Sequence, residues 1–256
     1  MGVVGGALAS RVLTRLSPNG EGGLAQGIPK AYQNRSKMEV LLGPTIWDDI
    51  RGKTVVDFGC GPGIEVVEMA QHGARHVIGL DRKQQWLDEA VELARRHGVA
   101  DRCTFAHTWD GRSRADVILS LDAFEHFADP AAILRVFHEI LHPGGSVIVS
   151  FGPTWYHPYG GHLYSISPYA HFLFTEKALV NWRSTLPGRS VARSFRETGL
   201  NQMTVRRFER LIEASPFKFA SFEAVPIRKL RWAANRMMRE FTTSVVRCRL
   251  VPRNGN

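Results

Sequence analysis

The sequence predicts an α/β fold built on a mostly parallel sheet, and three observations carry that prediction. Between about residues 54 and 151, short β-branched apolar runs alternate with amphipathic helical patterns, as strands joined by crossover helices do. The run Thr54-Val55-Val56-Asp57-Phe58 feeds a turn with glycine at positions 59, 61 and 63, a strand-to-helix junction with almost no side-chain bulk. The chain's 256 residues, 44% hydrophobic and 22% charged, suffice for one domain with a full core.

Residues 1–28 hold seven glycines and little periodicity, and are expected to form a flexible arm ahead of a domain spanning 29–256. A helix is expected over 29–42, stopped by Gly43-Pro44. The first strand is 54–58, and the helix after the glycine turn carries Ile64, Val66, Val67 and Ala70 before stopping near Gly73. A second strand at 76–80 leads to a helix with Trp86, Leu87, Ala90, Val91 and Ala94 that ends at Gly98. Strands follow at 103–106 and 116–121. Asp129-Pro130 supplies an N-cap and a proline at the first helical position, starting a helix whose apolar face holds Ile133, Val136, Phe137, Ile140 and Leu141. Pro143-Gly144-Gly145 turns into a fifth strand at 146–151.

Beyond that strand the alternation breaks. Residues 140–175 contain no Asp, Glu, Lys or Arg, yet proline, glycine and polar residues recur through them, which excludes a membrane span. The segment is rich in Trp155, four tyrosines, His157, His162 and His171, and 153–203 is expected to form an aromatic cap over the sheet that receives a substrate. A helix around 204–214, a strand at 218–226, a basic amphipathic helix at 227–241 and a last strand at 242–251 complete the expected order.

Net charge is +9, unevenly spread: residues 182–256 hold 16 Lys/Arg against 5 Asp/Glu, and residues 1–181 hold 17 against 19. The basic part points to an anionic partner, either a membrane surface met by 227–241 or, less favoured, nucleic acid. Three scattered cysteines fit neither a disulfide framework nor a zinc spacing, so a reducing, cytoplasmic compartment is expected, with a peripheral membrane association through the basic helix. Met1–Ala9 is too short to span a bilayer and lacks a basic leader.

The pattern Asp57-x-Gly59-x-Gly61-x-Gly63 resembles motif I of the class I S-adenosylmethionine (SAM)-dependent methyltransferases. Glu65, in the first turn of the next helix, would repel a pyrophosphate while suiting the helix dipole, and Asp57 supplies a carboxylate where a ligand bearing an ammonium and a sulfonium is expected. Asp81 ends the second strand, placed to accept both ribose hydroxyls. His107-Thr108-Trp109-Asp110 matches the family segment that covers adenine, with Trp109 on the ring and Asp110 on its amino group. Ser120 and the following Leu121-Asp122-Ala123-Phe124-Glu125-His126 resemble motif IV and its turn, and Pro143-Gly144-Gly145 matches the turn before the fifth strand.

These four ordered motifs cover about residues 50–152 and imply a Rossmann-like, doubly wound, mostly parallel seven-stranded sheet with a reversed last strand and a cap inserted after strand five. The expected cofactor contacts are Asp57, Gly59, Cys60, Gly61, Gly63, Asp81, Arg82, Trp109, Asp110 and Ser120. Methyl transfer needs alignment and removal of one proton, so His126 is the first candidate base, with His157 and His162 as alternatives. Asp122-x-x-Glu125-His126 is similar to a Glu-x-x-Glu-His divalent-metal motif in two branches, the ubiquinone-pathway O-methyltransferases and the small-RNA 3′-end methyltransferases, making these three residues candidate metal ligands. The expected activity is SAM-dependent O-methylation of a small-molecule, lipid-linked or glycan-type acceptor that meets the aromatic cap. The alternatives are an RNA methyltransferase, with or without metal, and a non-catalytic SAM-binding regulator.

Overall fold

The structure is a computed structural model and describes residues 2–19, 35–111, 114–186 and 191–253. Seven strands form one sheet in the order β3-β2-β1-β4-β5-β7-β6. They are β1 (Thr54–Phe58), β2 (His76–Leu80), β3 (Cys103–Ala106), β4 (Ala115–Leu121), β5 (Leu141–Phe151), β6 (Phe217–Pro226) and β7 (Thr243–Pro252). The first five run parallel, and β7 lies antiparallel to both β5 and β6. The reversal of the last strand and the doubly wound order agree with the sequence expectation.

Alternation of side chains on the central strands feeds two cores, because successive residues of a strand point to opposite faces. Val56, Ile118, Val147 and Val149 face α6 (Pro130–Ile140) and α9 (Val205–Glu213), where Leu134, Phe137, Phe208 and Ile212 are buried. Val55, Val117, Leu119 and Ile148 face the other way, toward Ile46, Trp47 and Ile50 of α3 (Ile46–Ile50) and toward α4 (Ile64–Gln71) and α5 (Gln84–Arg96). Asp129 caps α6 as expected, its Oδ1 accepting from the Ala132 amide at 3.0 Å. In the expected helix over 29–42, residues 37–42 form α2 (Lys37–Leu42), capped by Ser36, and the part over 29–34 lies outside the described residues.

Two expectations are corrected. Gly6–Leu16 is helix α1 rather than arm, because Ala9 and Leu13, four apart, bury one stripe against α8 (Glu176–Ser184). Part of the remainder, 20–28, lies outside the described residues. The expected basic helix over 227–241 is replaced by a 3-10 turn at Arg228–Ala233 and a short helix α10 (Arg239–Thr242). The cause is closure: Pro226 pairs with Thr243 across β6 and β7, and the Ile227 amide donates to Thr242 O at 2.7 Å. A straight helix of that length would hold its ends about 20 Å apart. Asn235 starts the return, its Oδ1 accepting from the Met237 and Met238 amides at 2.9 and 3.0 Å.

The cap has its own core, in which Tyr164, Phe174, Leu179, Trp182 and Phe195 pack with Ala9 and Leu13. It contains α7 (Ala170–Leu173) and α8, and no strand among its described residues.

Candidate active site

The order of the sheet reverses between β1 and β4, and in open parallel sheets that switch point opens a crevice at the carboxyl ends of the strands. The glycine turn sits there. Gly59, Gly61 and Gly63 all have positive φ, at 94°, 51° and 79°. A Cβ on Gly59 would stand 2.9 Å from the Ala123 methyl, so glycine lets the turn after β1 approach the loop after β4. The Gly59 and Cys60 amides donate to Leu80 O at 2.8 and 3.1 Å, joining the turn to the end of β2.

Asp81 is tied directly to the turn. Its Oδ2 accepts from the Gly61 amide at 3.1 Å and its Oδ1 from the Lys83 amide at 2.9 Å, leaving a lone pair on each oxygen for a further donor. Next to it, Arg82 is exposed. His107 bridges Asp81 O and Gln84 Oε1 at 3.1 and 2.8 Å, holding the segment after β3 against the start of α5. Trp109 is half-buried against the core and Asp110 is exposed. Ser120, near the end of β4, is fully buried with its Oγ unpartnered.

Acidic groups gather beside the turn. Asp57 is buried at the end of β1 and Glu65 lies in the first turn of α4. Burial, then the neighbouring Glu65 charge, pushes the Asp57 carboxyl up to about 8. Lys37 of α2 stands among them, its Nζ 3.1 Å from Asp122 Oδ2 and 3.6 Å from Glu65 Oε1. Burial would lower its pKa, but Asp122, Glu65 and Asp57 together outweigh that and raise it, so the ammonium stays charged. Lys37 was missed by sequence reasoning, since one lysine in a polar stretch carries no signal of its own. Cys60 is buried in the same turn, and burial followed by the Asp57 and Asp81 charges raises its thiol pKa, leaving no reactive thiolate.

The loop after β4 carries the chemistry-bearing groups. Its tip is ordered by Asn201, also missed in the sequence, whose Nδ2 donates to Phe124 O and Phe127 O at 2.8 and 3.0 Å. The His126 Nδ1 lies 3.0 Å from Gly199 O, a pure acceptor, so Nδ1 carries the proton and Nε2 holds the free lone pair. Burial, partly opposed by that hydrogen bond, lowers the His126 pKa although the ring still touches solvent. Glu125 is buried, accepts from the Gly152 amide at 3.3 Å through Oε1, and leaves Oε2 unpartnered. Burial, then Asp122, pushes its carboxyl up to about 8.

Of the cap histidines, His162 packs edge-on to His126 with centroids 5.5 Å apart and donates from Nε2 to Pro153 O at 3.1 Å. His157 accepts from the Tyr159 amide through Nδ1. His171, not among the expected site residues, donates to Trp155 O at 2.8 Å and leaves Nδ1 unpartnered. All three are held down to about 4, each chiefly by burial, and are neutral near pH 7. Donor atoms of Glu125, His126 and His162 lie within 4.8 Å of one another. The structure thus regroups the expected metal set: Asp122 is joined to Lys37, and His162 takes the third place.

A protein-family model described as a methyltransferase domain matches residues 24–207. The chain is 33% identical over 161 residues to the ubiquinone biosynthesis O-methyltransferase of Neisseria meningitidis serogroup C, covering 60% of this chain and 66% of that one, just under two thirds of its length. Among solved structures it is similar to the magnesium protoporphyrin IX methyltransferase of Synechocystis PCC 6803 with bound S-adenosylhomocysteine (TM-score 0.56, 16% identity, covering 96% and 95%). It is also similar to the cyclase SpnF (TM-score 0.55, 14% identity, covering 100% of both chains), so the shared fold by itself does not decide the reaction. The family match spans the glycine turn, the loop after β4 and the whole of the expected cap, and the chain belongs to the methyltransferase domain family.

Proposed function

We propose that this chain is an enzyme that transfers a methyl group from S-adenosylmethionine to a hydroxyl of a small-molecule, lipid-linked or glycan-type acceptor held under the aromatic cap. One observation carries the reading: the bare backbone of the glycine turn, with Asp81 fastened to it, faces a cluster of carboxylates balanced by one lysine. That charge pattern suits an amino-acid head group. Glu65 attracts its ammonium, the buried Asp57 carboxyl accepts a hydrogen bond from it, Lys37 meets its carboxylate, and Asp81 takes the ribose hydroxyls. Trp109 and Asp110 are proposed for the adenine side, and Ser120, near the end of β4, for the methionine end.

The step is an in-line displacement. The sulfur–methyl bond breaks with its electron pair returning to sulfur, an oxygen–methyl bond forms, and the hydroxyl proton leaves. His126 is neutral, with Nε2 open, and takes that proton. His157 and His162 line the cap side as neutral alternates. The cap excludes water and offers Trp155, Tyr156 and Phe172 as stacking faces, a lining without charge that fits a neutral ring acceptor better than a polyanion.

As an alternative in which His126 Nε2 is a ligand and not the base, a divalent cation fits the donor set of Glu125, His126 and His162, because Glu125 presents a buried, unpartnered oxygen beside two imidazoles. Bound there, it would lower the pKa of an acceptor hydroxyl. The O-methyltransferase name of the Neisseria relative supports the choice of oxygen as the methylated atom. Isotope-labelled SAM incubated with fractionated cell extract tests the reading: label must pass to a small or lipid-extractable product. SAM that binds without ever yielding S-adenosylhomocysteine would leave a SAM-binding regulator instead.

A further inference from the structure

Exposed apolar side chains are not spread evenly over this molecule. Of fifteen large ones exposed among the described residues, twelve fall in three segments: 3–16, 163–173 and 232–241. Val3 is 85% exposed, Leu8 71%, Trp232 85% and Met237 82%. Isolated exposed hydrophobics need no explanation, but a group of this size confined to three elements does.

The three segments meet. Phe241 packs on Tyr156 with centroids 5.2 Å apart, Tyr156 stacks on Phe172, and Phe172 touches Tyr169. The next residue, Leu173, accepts backbone hydrogen bonds from Val3 and Val4 at 3.0 and 2.9 Å, and Val4 pairs with Phe174. The connection between β6 and β7, the cap and α1 therefore present one continuous apolar strip. On α1 the stripe Leu8, Val12, Leu16 is exposed at four-residue spacing, while the neighbouring stripe Ala9, Leu13 is buried.

Among the described residues, the exposed charge carried by these three segments has one sign, the half-buried Glu209 of α9 being paired to Arg239 at the border of the strip. Arg11, Arg15, Arg228, Lys229, Arg231 and Arg236 are exposed on it. Residues 2–19 and 153–175 contain no acid at all, and the one acid within 227–242, Glu240, is buried with its carboxylate on the Val205 and Arg206 amides. The connection between β6 and β7 leaves from the carboxyl end of the parallel strands, because Phe151 at the end of β5 lies opposite Val246 near the start of β7. The strip thus borders the edge of the sheet that carries the glycine turn and His126.

We infer that α1, the cap rim and the 227–242 connection form a single face that lies on an anionic bilayer and turns the mouth of the cap toward it. Apolar side chains accompanied by cations, with no exposed carboxylate in 2–19, 153–175 or 227–242, match the boundary between acyl chains and acidic headgroups. Nucleic acid is a poorer fit, since it would leave Leu8, Val12 and Met237 uncovered. Such a face lets an acceptor dissolved in the membrane reach the cap without crossing water, and in that respect the inference rests on the lipid-linked form of the acceptor proposed above.

Co-flotation of the full chain with vesicles tests it, comparing phosphatidylcholine alone with equal parts phosphatidylcholine and phosphatidylglycerol. Binding is expected only to the anionic vesicles and is expected to weaken when salt is raised to about 0.5 M. Arg228→Gln, Lys229→Gln and Arg231→Gln should each weaken the partition by about fivefold. The pair Trp232→Ser and Met237→Ser, both at exposed positions, should weaken it by at least about tenfold. No anionic-vesicle binding, unchanged binding by all these variants, or tight binding to an RNA oligomer in place of vesicles overturns the inference. SAM binding by calorimetry on the same preparations separates the two proposals: if it persists while vesicles are ignored, only the membrane face falls.

Discussion

Lys37 Nζ lies 3.1 Å from Asp122 Oδ2, joining a helix ahead of the sheet to the loop after β4. Asp122, whose φ is 50°, is thereby engaged by Lys37, and the donor group of Glu125, His126 and His162 does not include it. The pair also places one cation beside the Asp57 and Glu65 carboxylates.

Replacement of Lys37 by alanine removes that cation. With it goes the attraction that holds the Asp57 carboxyl down, so its pKa rises further above 8. The expected result is a SAM dissociation constant at least about tenfold higher, corresponding to ~1.4 kcal/mol. Calorimetry checks it, and unchanged affinity would remove Lys37 from the binding site.

Stability should pass through a maximum near pH 6.5. Asp57 and Glu125, both pushed up to about 8, keep protons in the folded chain that the unfolded chain releases above about 4. Their contribution is fully present below the unfolded pKa and is lost as pH rises toward 8. His157, His162 and His171, held down to about 4, act in the opposite sense: their contribution is present above about 6.5 and is lost as pH falls toward 4. Between 4 and 6.5 three histidines oppose two acids, and above 6.5 the acids act alone. Between pH 6.5 and 7.5 the unfolding free energy from urea titration should fall less for Asp57→Asn than for the native chain, by about 1 kcal/mol. Parallel curves would refute the buried proton on Asp57.

His126→Ala should depress kcat by about a hundredfold or more while SAM affinity stays within a factor of two. Because burial lowers the His126 pKa, the acid limb of kcat in the native enzyme should lie below pH 6.5, with a flat region above. Equal losses in kcat and SAM affinity would assign His126 to ordering the loop through Gly199 O.

The sheet was legible because each of its central strands is a short β-branched run closed by a glycine or an acid, as in Val55–Asp57 before Gly59 and Val77–Leu80 before Asp81. Local patterns of that kind survive without knowledge of the fold. What could not be read depends on pairings distant in sequence. The stretch 227–241 has a helical pattern, yet the pairing of Pro226 with Thr243 forces it to double back. The helicity of α1 is hidden by flanking glycines and realised by contact with α8. At the site, the glycine turn and Asp81 were visible as a motif, whereas the approach of Lys37 to Asp122, 85 positions away, leaves no local trace.

A glycine of the turn set against one after α5 supplies a graded test. Alanine at Gly98, where φ is 67° and nothing lies within 4 Å of the new Cβ, should cost about 1 kcal/mol from the left-handed backbone alone. Alanine at Gly63 adds a clash, because its Cβ would stand 2.6 Å from the Ala90 Cβ and 3.1 Å from the Ala90 Cα. The helices α4 and α5 would have to separate, raising the cost to about 3 kcal/mol. Thermal melts should therefore place Gly63→Ala well below Gly98→Ala. Equal melting temperatures would mean that the helices part freely.

The cap depends on α1 in a way that can be separated from the sheet. Leu13 is fully buried among Leu179, Trp182 and Phe195, and Trp182 Nε1 donates to Ser17 O at 3.3 Å just beyond the helix. Leu13→Ala should cost about 3 kcal/mol, from lost burial and the cavity left behind. That loss falls on the cap core, which shares none of its buried residues with the two cores that grip the sheet. SAM affinity, which the proposed site draws from residues at the ends of β1, β2 and β4, should hardly move, whereas methyl transfer should fall as the cap loosens over the proposed acceptor site. Hydrogen exchange should rise in α8 and around Tyr164 while β1 and β4 remain protected. A uniform rise across sheet and cap would show that the two unfold as one unit.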